Sequence, residues 1–306
     1  MENLANTLSP SSGASTSSSS SATKQVKEFL SSNNFIAKIS FIFLVIFGVI
    51  FLFHMIIQIL IYWYSPKGKV MLLNGMVDAN QMKVITQDIT NPTQLIIPSK
   101  NQSDGIEFTW SVWIYIANLA TLNYSDAINH NVFFKGNFNS YTGQNVSCKN
   151  INIPNNAPGL YIVNDPNSSS AALQVLMDTY TQSSAYLTGS NCTTVNPVIV
   201  PHIPLDNWVH VVIRCKGNML DVYVNGVIAN STVLVGVPKQ NNGNVYVAAN
   251  GGFNGNIASL LYMNRGATNV EILNIYQQGP NTTPLDGTAT SYVKPNYLAF
   301  NWYMNN

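Results

Sequence analysis

The sequence predicts an all-β protein, a two-sheet antiparallel jelly-roll sandwich with one short C-terminal helix, preceded by a single transmembrane helix. Three observations lead to this class. An uncharged apolar run extends from Phe41 to Trp63. Short stretches of alternating apolar and polar residues, separated by turn sequences, follow between residues 105 and 263. A segment with helical spacing and a capping pattern comes last, around Glu271.

The N-terminal part divides into a tail and a membrane segment. Residues 1–34 are rich in Ser and almost free of apolar side chains, which predicts a disordered tail. Residues 35–65 are predicted as the transmembrane helix, because Phe41–Trp63 carries no formal charge and would span about 30 Å of hydrocarbon. The residues that we assign to this segment are Phe41, Gly48, His54, Gln58 and Trp63.

Two features of the membrane segment stay open. His54 and Gln58 lie four residues apart on one face, where they would make a polar contact between helices or simply be tolerated near an interface. Lysines flank both ends of the segment in similar number, so the positive-inside rule favours a cytosolic N-terminus only slightly.

Residues 66–104 form an entry segment with short apolar runs. Val84–Ile89 and Leu95–Ile97 are predicted as edge strands, and Asn91-Pro92 and Pro98 interrupt them. The sandwich itself is predicted over residues 105–281.

The sandwich begins with a central strand. Phe108 and Trp110 share one face with every second residue that follows them in FTWSVWIYI, and Trp113 lies on the other face. Aromatic residues on both faces indicate a strand that is covered on both sides. Val132–Phe134 is predicted as a short strand that ends at a Lys135-Gly136 turn. Further strands are predicted from Gly159, Ala171, Val233, Val245 and Ile257.

The most regular stretch runs from Ile203 to Asn230. Trp208 and His210 begin one alternating strand, and Tyr223 belongs to the next. Asn225-Gly226 then predicts a tight hairpin turn, because both residues tolerate a positive φ. This stretch indicates an antiparallel meander.

The C-terminal part contains the predicted helix and a tail. Thr268 and Glu271 have the spacing of a capping box, and Gly279-Pro280 ends the helix. The aromatic tail, residues 282–306, is predicted to dock on the domain.

Composition argues against several functions. Charged residues make up 9% of the 306 residues and the net charge is +1, without a basic block, so we expect no nucleic-acid partner. Cys215 lies in strand register and is predicted to be a buried thiol. Cys148 and Cys192 lie in polar loops and could either pair or stay free. No metal or catalytic residue is assigned, and no cofactor is expected.

The acidic residues and histidines give no enzyme pattern. A retaining glycosidase needs two carboxylates about 5 Å apart, whereas Glu107 stands alone on its strand and Glu271 is explained by capping. His210 has no Ser or Cys at the spacing of a catalytic motif, so a structural role is favoured.

Two polar loops are candidates for a binding site, but no single residue in them is assigned to a ligand. Asn137–Ala157 and Thr179–Val195 hold Asn, Asp, Tyr and Gly, which would suit Ca²⁺ and sugar hydroxyls, although simple solvated loops are the favoured interpretation. The ligand-binding residues stay unassigned.

Sequons for N-glycosylation are about as frequent as chance yields in so Asn- and Ser-rich a chain. They occur at Asn101, Asn123, Asn145, Asn167, Asn191, Asn230 and Asn281.

Several segments, in order, resemble the laminin G-like and concanavalin A-like jelly-roll pattern. They are FTWSVWIYI from Phe108, VFFKG, PGLYI, LDNWVHVVIR, LDVYVNG and FNGNIASLLYMNR, followed by the helix with Glu271. Within this fold, SDGIEFTWSVW, VPKQNNGNVYV and NGGFNGNIASL behind an N-terminal membrane helix resemble the membrane-anchored jelly-roll proteins of large DNA viruses of algae and protists.

The resemblance implies a virion or viral-membrane protein. Its sandwich would contact capsid or neighbouring membrane proteins, its helix would lie in a lipid bilayer, and no enzymatic activity is expected. The alternative is a lectin-like attachment module that binds glycans, although the acidic metal-binding cluster of legume-type lectins is not recognisable here. A glycan hydrolase is the remote third candidate, since the fold hosts glucanases but their carboxylates are missing.

Overall fold

The computed structural model of the chain describes residues 24, 27–28, 35–64, 68–88, 94–99, 101–102, 105–117, 129–139, 148–165, 170–188 and 191–285. The predicted disorder of residues 1–34 and the predicted docking of residues 282–306 fall mostly outside these ranges. The chain divides into two compact units, residues 1–66 and residues 67–306.

The first unit contains helix α1 (Phe35–Tyr64). Its stretch from Lys38 to Leu60 is 23 residues long and is apolar enough to cross a membrane, by length and composition. The apolar side chains from Ile42 to Leu60 are nearly all exposed, including Phe47 at 75%. A helix satisfies its own backbone hydrogen bonds, so hydrocarbon is a suitable solvent for such a surface.

The second unit is a sandwich of two antiparallel sheets, as predicted. The larger sheet has the order β1 (Lys69–Met71), β16 (Gly255–Met263), β5 (Gly105–Ile116), β12 (Trp208–Lys216), β13 (Met219–Val224) and β14 (Val227–Val233), with β2 (Met76–Asp78) beside β16 and β4 (Asn101–Gln102) beside β5. The smaller sheet has the order β11 (Val198–Ile203), β8 (Ala171–Leu176), β7 (Gly159–Asn164), β6 (His130–Gly136), β15 (Asn244–Val247) and β3 (Lys83–Ile85).

Two smaller elements complete the unit. Strands β9 (Ala185–Thr188) and β10 (Asn191–Thr194) form a hairpin of their own. Helix α2 (Asn269–Gln278) follows β16, and a short 3-10 turn lies at Ala249–Gly251.

The main core lies between the two sheets. Strand β5 is central in its sheet, and its alternating residues Phe108, Trp110, Val112 and Ile114 all belong to this core. Trp110 stacks on Phe133 of β6 with ring centroids 5.1 Å apart, which joins the two sheets directly. The alternation of apolar side chains therefore sets which face of each strand turns inward.

Helix α2 covers part of the outer face of the larger sheet. Ile272 packs with Val212, Tyr223, Leu261 and Met263 in a second apolar cluster. The helix begins at a capping box, in which Thr268 accepts from the Glu271 N–H while the Glu271 side chain accepts from the Thr268 N–H. Strand β5 is thus covered on both faces, as its aromatic pattern predicted.

The hairpin between β13 and β14 turns at Asn225 and Gly226, with φ of 51° and 81°. Positive φ at both positions matches the twist of antiparallel strands. A Cβ at position 226 would lie 3.4 Å from Leu273 and Tyr276 of α2, so the turn passes close beneath the helix.

The structure differs from the prediction at several elements. Leu95–Ile97 is irregular instead of a strand, because its hydrogen bonds go to side chains. The predicted loop 179–195 contains the β9–β10 hairpin. Strand β11 was not predicted, since Pro201 and His202 interrupt its alternation. The strand predicted from Val233 is absent from the described secondary structure, where the last strand of the meander is β14, which starts directly after the Asn225-Gly226 turn and ends at Val233.

Candidate functional site

Several polar groups in the described parts of the two loops that were considered for Ca²⁺ or sugar make hydrogen bonds within the fold. Asp178 is buried, and its Oδ1 accepts from the N–H and the hydroxyl of Ser184 at 2.8 and 2.7 Å. Its Oδ2 accepts from the Asn156 N–H at 2.8 Å. Burial raises the pKa of Asp178, and these donors oppose that rise. The carboxylate holds the two loops together and is not presented to a ligand.

The neighbouring loop is fixed in a similar way. The Tyr161 hydroxyl donates to Asn156 Oδ1 at 2.7 Å and accepts from the Asn152 N–H at 3.1 Å. Tyr161 is fully buried in a cluster that includes Cys148 and Leu176 on the outer face of the smaller sheet. Among the described residues, no group of three or more His, Cys, Asp or Glu side chains could hold a metal ion.

The cysteines fall into two kinds. Cys148 is buried and disulfide-bonded. Cys215 is a free thiol at an inward position of β12, where burial raises its pKa to about 12, so it is a structural and unreactive side chain. The side chain of Cys192 is outside the described part, and its pairing with Cys148 stays a prediction.

His210 lies under helix α2 and contacts a serine. Its Nε2 is 2.8 Å from the Ser111 hydroxyl, and its ring stacks on Trp113 with centroids 4.9 Å apart. Tyr276 of α2 closes the stack at 5.8 Å from Trp113. Burial lowers the pKa of His210 to about 4, so the imidazole is neutral at pH 7.

This Ser–His pair supports the fold. His210 is fully buried, and its Nδ1 has no hydrogen-bond partner, whereas a catalytic histidine is oriented by a third group. The His210 backbone pairs with Asn225, whose side chain accepts from the His210 N–H at 2.9 Å. Trp208 packs beside this cluster and against Tyr115.

The remaining structural residues of the prediction surround the start of α2. Tyr223 donates from its hydroxyl to Asn269 Oδ1 at 3.0 Å, and the Arg214 guanidinium lies 4.9 Å above the Tyr223 ring. Glu271 accepts from both Arg265 and the Thr268 N–H, and the Arg265 guanidinium lowers the pKa of the Glu271 carboxyl to about 2. These contacts fasten the helix to the sheet.

Two predicted sequons have described side chains. The Asn230 amide donates to the Ile199 carbonyl at 2.9 Å and bridges the end strands of the two sheets. The Asn281 amide donates to Asn74 Oδ1 at 3.2 Å. Asn101 and Asn191 lie in β4 and β10, with side chains outside the described part. Asn123, Asn145 and Asn167 also lie outside it.

The membrane residues lie along α1. Phe41 and Gly48 are partly exposed, and His54 and Gln58 are exposed, while the side chain of Trp63 is outside the described part. The described residues of the first unit contain no second spanning helix that could pair with His54.

A cavity of about 470 Å³ lies between the sheets at the level of Trp110. Its walls are mostly apolar, with Phe108 and Trp110 from β5 and Tyr262 from β16. Residues 95–98 form one side, and the amide side chains of residues 240–242 form another. This volume is within the range of small-molecule sites in proteins.

Lys135 is the charged residue of this cavity. It occupies an inward position of β6, two residues after Phe133, and it is only 6% exposed. Its Nζ donates to the Gly243 carbonyl at 2.7 Å, and no acidic partner is found for it among the described residues. Burial lowers the pKa of Lys135 to about 8.

The prediction from sequence missed this lysine. The Lys-Gly pair after VFF was taken for a turn, whereas β6 continues through Gly136. A signal was present, because residues two apart on a strand share a face, and Phe133 is a core residue.

One edge of the sandwich is apolar and exposed. We call it the β14 edge, defined by Val227, Ile228, Val233, Val235 and Val237, which are 49–67% exposed. Residues 227–237 contain no charged residue and no proline. Proteins usually protect edge strands with such residues, so this surface lacks the common defence against contact with another protein.

The sequence and the fold were compared with known proteins. The family model Laminin_G_3, described as the concanavalin A-like lectin/glucanases superfamily, matches residues 90–273, more than half of the chain. No curated protein matches the sequence.

Solved structures with a similar fold include three receptor-binding or binding domains. The receptor binding domain of botulinum neurotoxin D is 11% identical with a TM-score of 0.41, over 69% of this chain and 52% of that chain. The botulinum neurotoxin type G receptor binding domain is 9% identical with a TM-score of 0.38, over 66% and 46%. The binding domain of Paraclostridial Mosquitocidal Protein 1 is 16% identical with a TM-score of 0.36, over 68% and 46%. The chain thus spans about half of each.

Proposed function

Since the chain belongs to the concanavalin A-like lectin/glucanases superfamily, we propose that it is a non-enzymatic, membrane-anchored structural protein whose sandwich contacts a neighbouring protein. The proposed setting is a virus particle with an internal membrane. Helix α1 crosses that membrane, with the N-terminus on the cytosolic side during synthesis. The resemblance of the sequence to viral membrane-anchored jelly-roll proteins supports this setting.

The β14 edge is the observation that carries the proposal. Val227 and Val233 are 67% and 59% exposed at the two ends of β14, and Met219 on the adjacent strand is 43% exposed. Uncharged apolar surface of this kind is typical of the buried centre of protein interfaces. Sugars would instead require polar groups that converge on a ligand, and the described polar loops use theirs internally.

The roles of the glutamates and of the Ser111–His210 pair in the fold support the proposal that the protein is not an enzyme. Within the described part of the sandwich, both glutamates serve the fold: Glu107 accepts from the Gly266 N–H at 3.1 Å, and Glu271 caps α2. The Ser111–His210 pair is buried beneath α2.

Site-specific photo-crosslinking tests the proposed contact. A photoreactive amino acid replaces Val233 on the β14 edge in the full chain, and the matched control carries it at Val270, an exposed valine of α2 (59% and 67% exposed). We expect one discrete crosslinked species from position 233 in assembled particles, identified by mass spectrometry as a capsid or membrane protein. Position 270 should give little of it.

Two outcomes would overturn this function. Equal crosslinking at both positions, or none at position 233, would show that the β14 edge is not the interface. Specific binding of residues 67–306 on a glycan array, with or without Ca²⁺, would replace the structural role by that of an attachment module.

A further inference from the structure

The cavity between the sheets contains a positive charge, the Lys135 ammonium, that no carboxylate in the described part of the chain balances. An ammonium group has three donors, and Lys135 uses one of them on the Gly243 carbonyl. No described carboxylate forms an ion pair with Lys135, although the residue is only 6% exposed. Buried charges in proteins are normally paired, so this arrangement indicates a missing anion.

The walls and volume of the rest of the cavity indicate the chemistry of the uncharged part of the ligand. Phe108, Trp110 and Ile96 present apolar walls, and the volume of about 470 Å³ is large for an internal packing defect. The amide side chains of Gln87 and Asn241 already make hydrogen bonds within the fold, so the cavity offers few free polar groups to the hydroxyls of a sugar. A ligand that fits both features has one long apolar part and one anionic group.

The segment over the cavity offers a route of entry. Residues 94–99, which we call the strap, are held by side-chain hydrogen bonds. Gln87 Oε1 accepts from the Ile96 N–H at 2.7 Å, and the Tyr262 hydroxyl donates to the Ile97 carbonyl at 3.1 Å. Gln240 Oε1 accepts from the Ser99 N–H at 2.8 Å. The strap can therefore move outward without breaking a strand ladder.

We propose that this cavity is a binding site for a long-chain carboxylic acid, with the carboxylate on the Lys135 ammonium and the hydrocarbon chain between the sheets. A carboxylate supplies the single negative charge that one lysine can balance. The ion pair would form away from water, where charge-assisted hydrogen bonds are strong. The apolar chain would fill volume that the side chains of the core leave open.

Photo-labelling of the full chain in lipid nanodiscs tests this site. The probe is a long-chain fatty acid with a diazirine near the end of its chain, and labelled peptides are mapped by mass spectrometry. We expect labels on the strap and on peptides from β5 or β16, in addition to background on α1. An excess of unlabelled fatty acid should remove the sandwich labels, whereas the alcohol of equal length should compete about tenfold less well.

Variants assign the anion site to Lys135. Lys135→Met keeps the length of the side chain and removes its charge, and we expect about tenfold less labelling of the sandwich peptides. Lys149→Met removes an exposed lysine and is the matched control, expected to label like the wild type. Ala157→Leu narrows the cavity and should also reduce labelling. Circular dichroism verifies that each variant is folded.

Three results would overturn the proposal. They are labels confined to α1, equal competition by the alcohol and the acid, and full labelling of Lys135→Met. The competition between acid and alcohol is measured on the wild-type protein, so it decides the question even where a variant fails to fold.

Discussion

At the scale of the residue, Lys135 has an environment that is energetically costly for its charge. Its ammonium is buried among aromatic and aliphatic side chains, and burial is the cause of its lowered pKa. A lysine at an inward strand position lowers the stability of the fold, because its charged form is better solvated by water than by the core. Such a residue therefore suggests a purpose other than stability. The change in unfolding free energy when Lys135 is replaced therefore tests whether its ammonium is buried.

We predict that Lys135→Met stabilises the delipidated sandwich by about 1–3 kcal/mol at pH 7, since a pKa lowered from 10.5 to about 8 corresponds to about 3 kcal/mol. Between pH 8 and 10.5 the unfolded wild-type chain binds the lysine proton and the folded chain does not. Wild-type stability should therefore rise over this range relative to the variant. Urea unfolding of residues 67–306 at pH 7 and pH 10 measures both effects, and a destabilised variant would contradict the prediction.

The same residue shows what sequence could and could not predict. Alternation correctly assigned the inward faces of β5, because apolar and polar side chains follow the pleat. Lys135 was placed in a turn, because a charged residue before glycine is typical of turns. The polar loops were considered as a ligand site, with solvated loops as the favoured interpretation, and in the structure Asp178 accepts a hydrogen bond from the Asn156 N–H. Residue type does not reveal which partner a polar group finds.

At the scale of the element, helix α2 shows how one cap fastens the outer layer. Its ten residues are too few for a stable isolated helix, so its order depends on the cap and on packing of Ile272 against the sheet. The capping-box spacing was visible in the sequence because it is local. The conformation of the strap was not predicted, because it depends on a hydrogen bond from Tyr262, which is far away in the sequence.

We predict that Thr268→Ala destabilises the sandwich by about 1 kcal/mol, because it leaves the Glu271 N–H without its acceptor. Val270→Ala is the control, since Val270 is exposed on the same helix and should change stability by less than about 0.5 kcal/mol. Thermal unfolding followed by tryptophan fluorescence compares the two. Equal stabilities would mean that packing alone holds the helix.

At the scale of the whole molecule, the chain combines two units that suit different solvents. Helix α1 exposes apolar side chains along its length, whereas the sandwich buries its own core between two sheets. The apolar run was the clearest feature of the sequence because hydrophobicity over so many residues needs no partner to be recognised. The function we propose requires both units, one in the bilayer and one available to a neighbouring protein.

We predict that the full chain stays in the membrane fraction after extraction with alkaline carbonate. Replacing Ile50 and Phe53 by Asp should release it, because each charge near the centre of a spanning helix costs about 2.5–3.5 kcal/mol. Ile50→Leu with Phe53→Leu is the matched control and should remain in the membrane.

Limited proteolysis of the same samples separates anchoring from folding. Because the sandwich has its own core from Lys67 onward, the aspartate variant should yield the same protease-resistant fragment as the wild type. Release of the wild-type chain by carbonate would mean that α1 does not span the bilayer, and the proposed membrane-anchored role would then fail at its first requirement. Retention of the wild type with release of the aspartate variant would leave the β14 edge as the part of the proposal still to be decided by crosslinking.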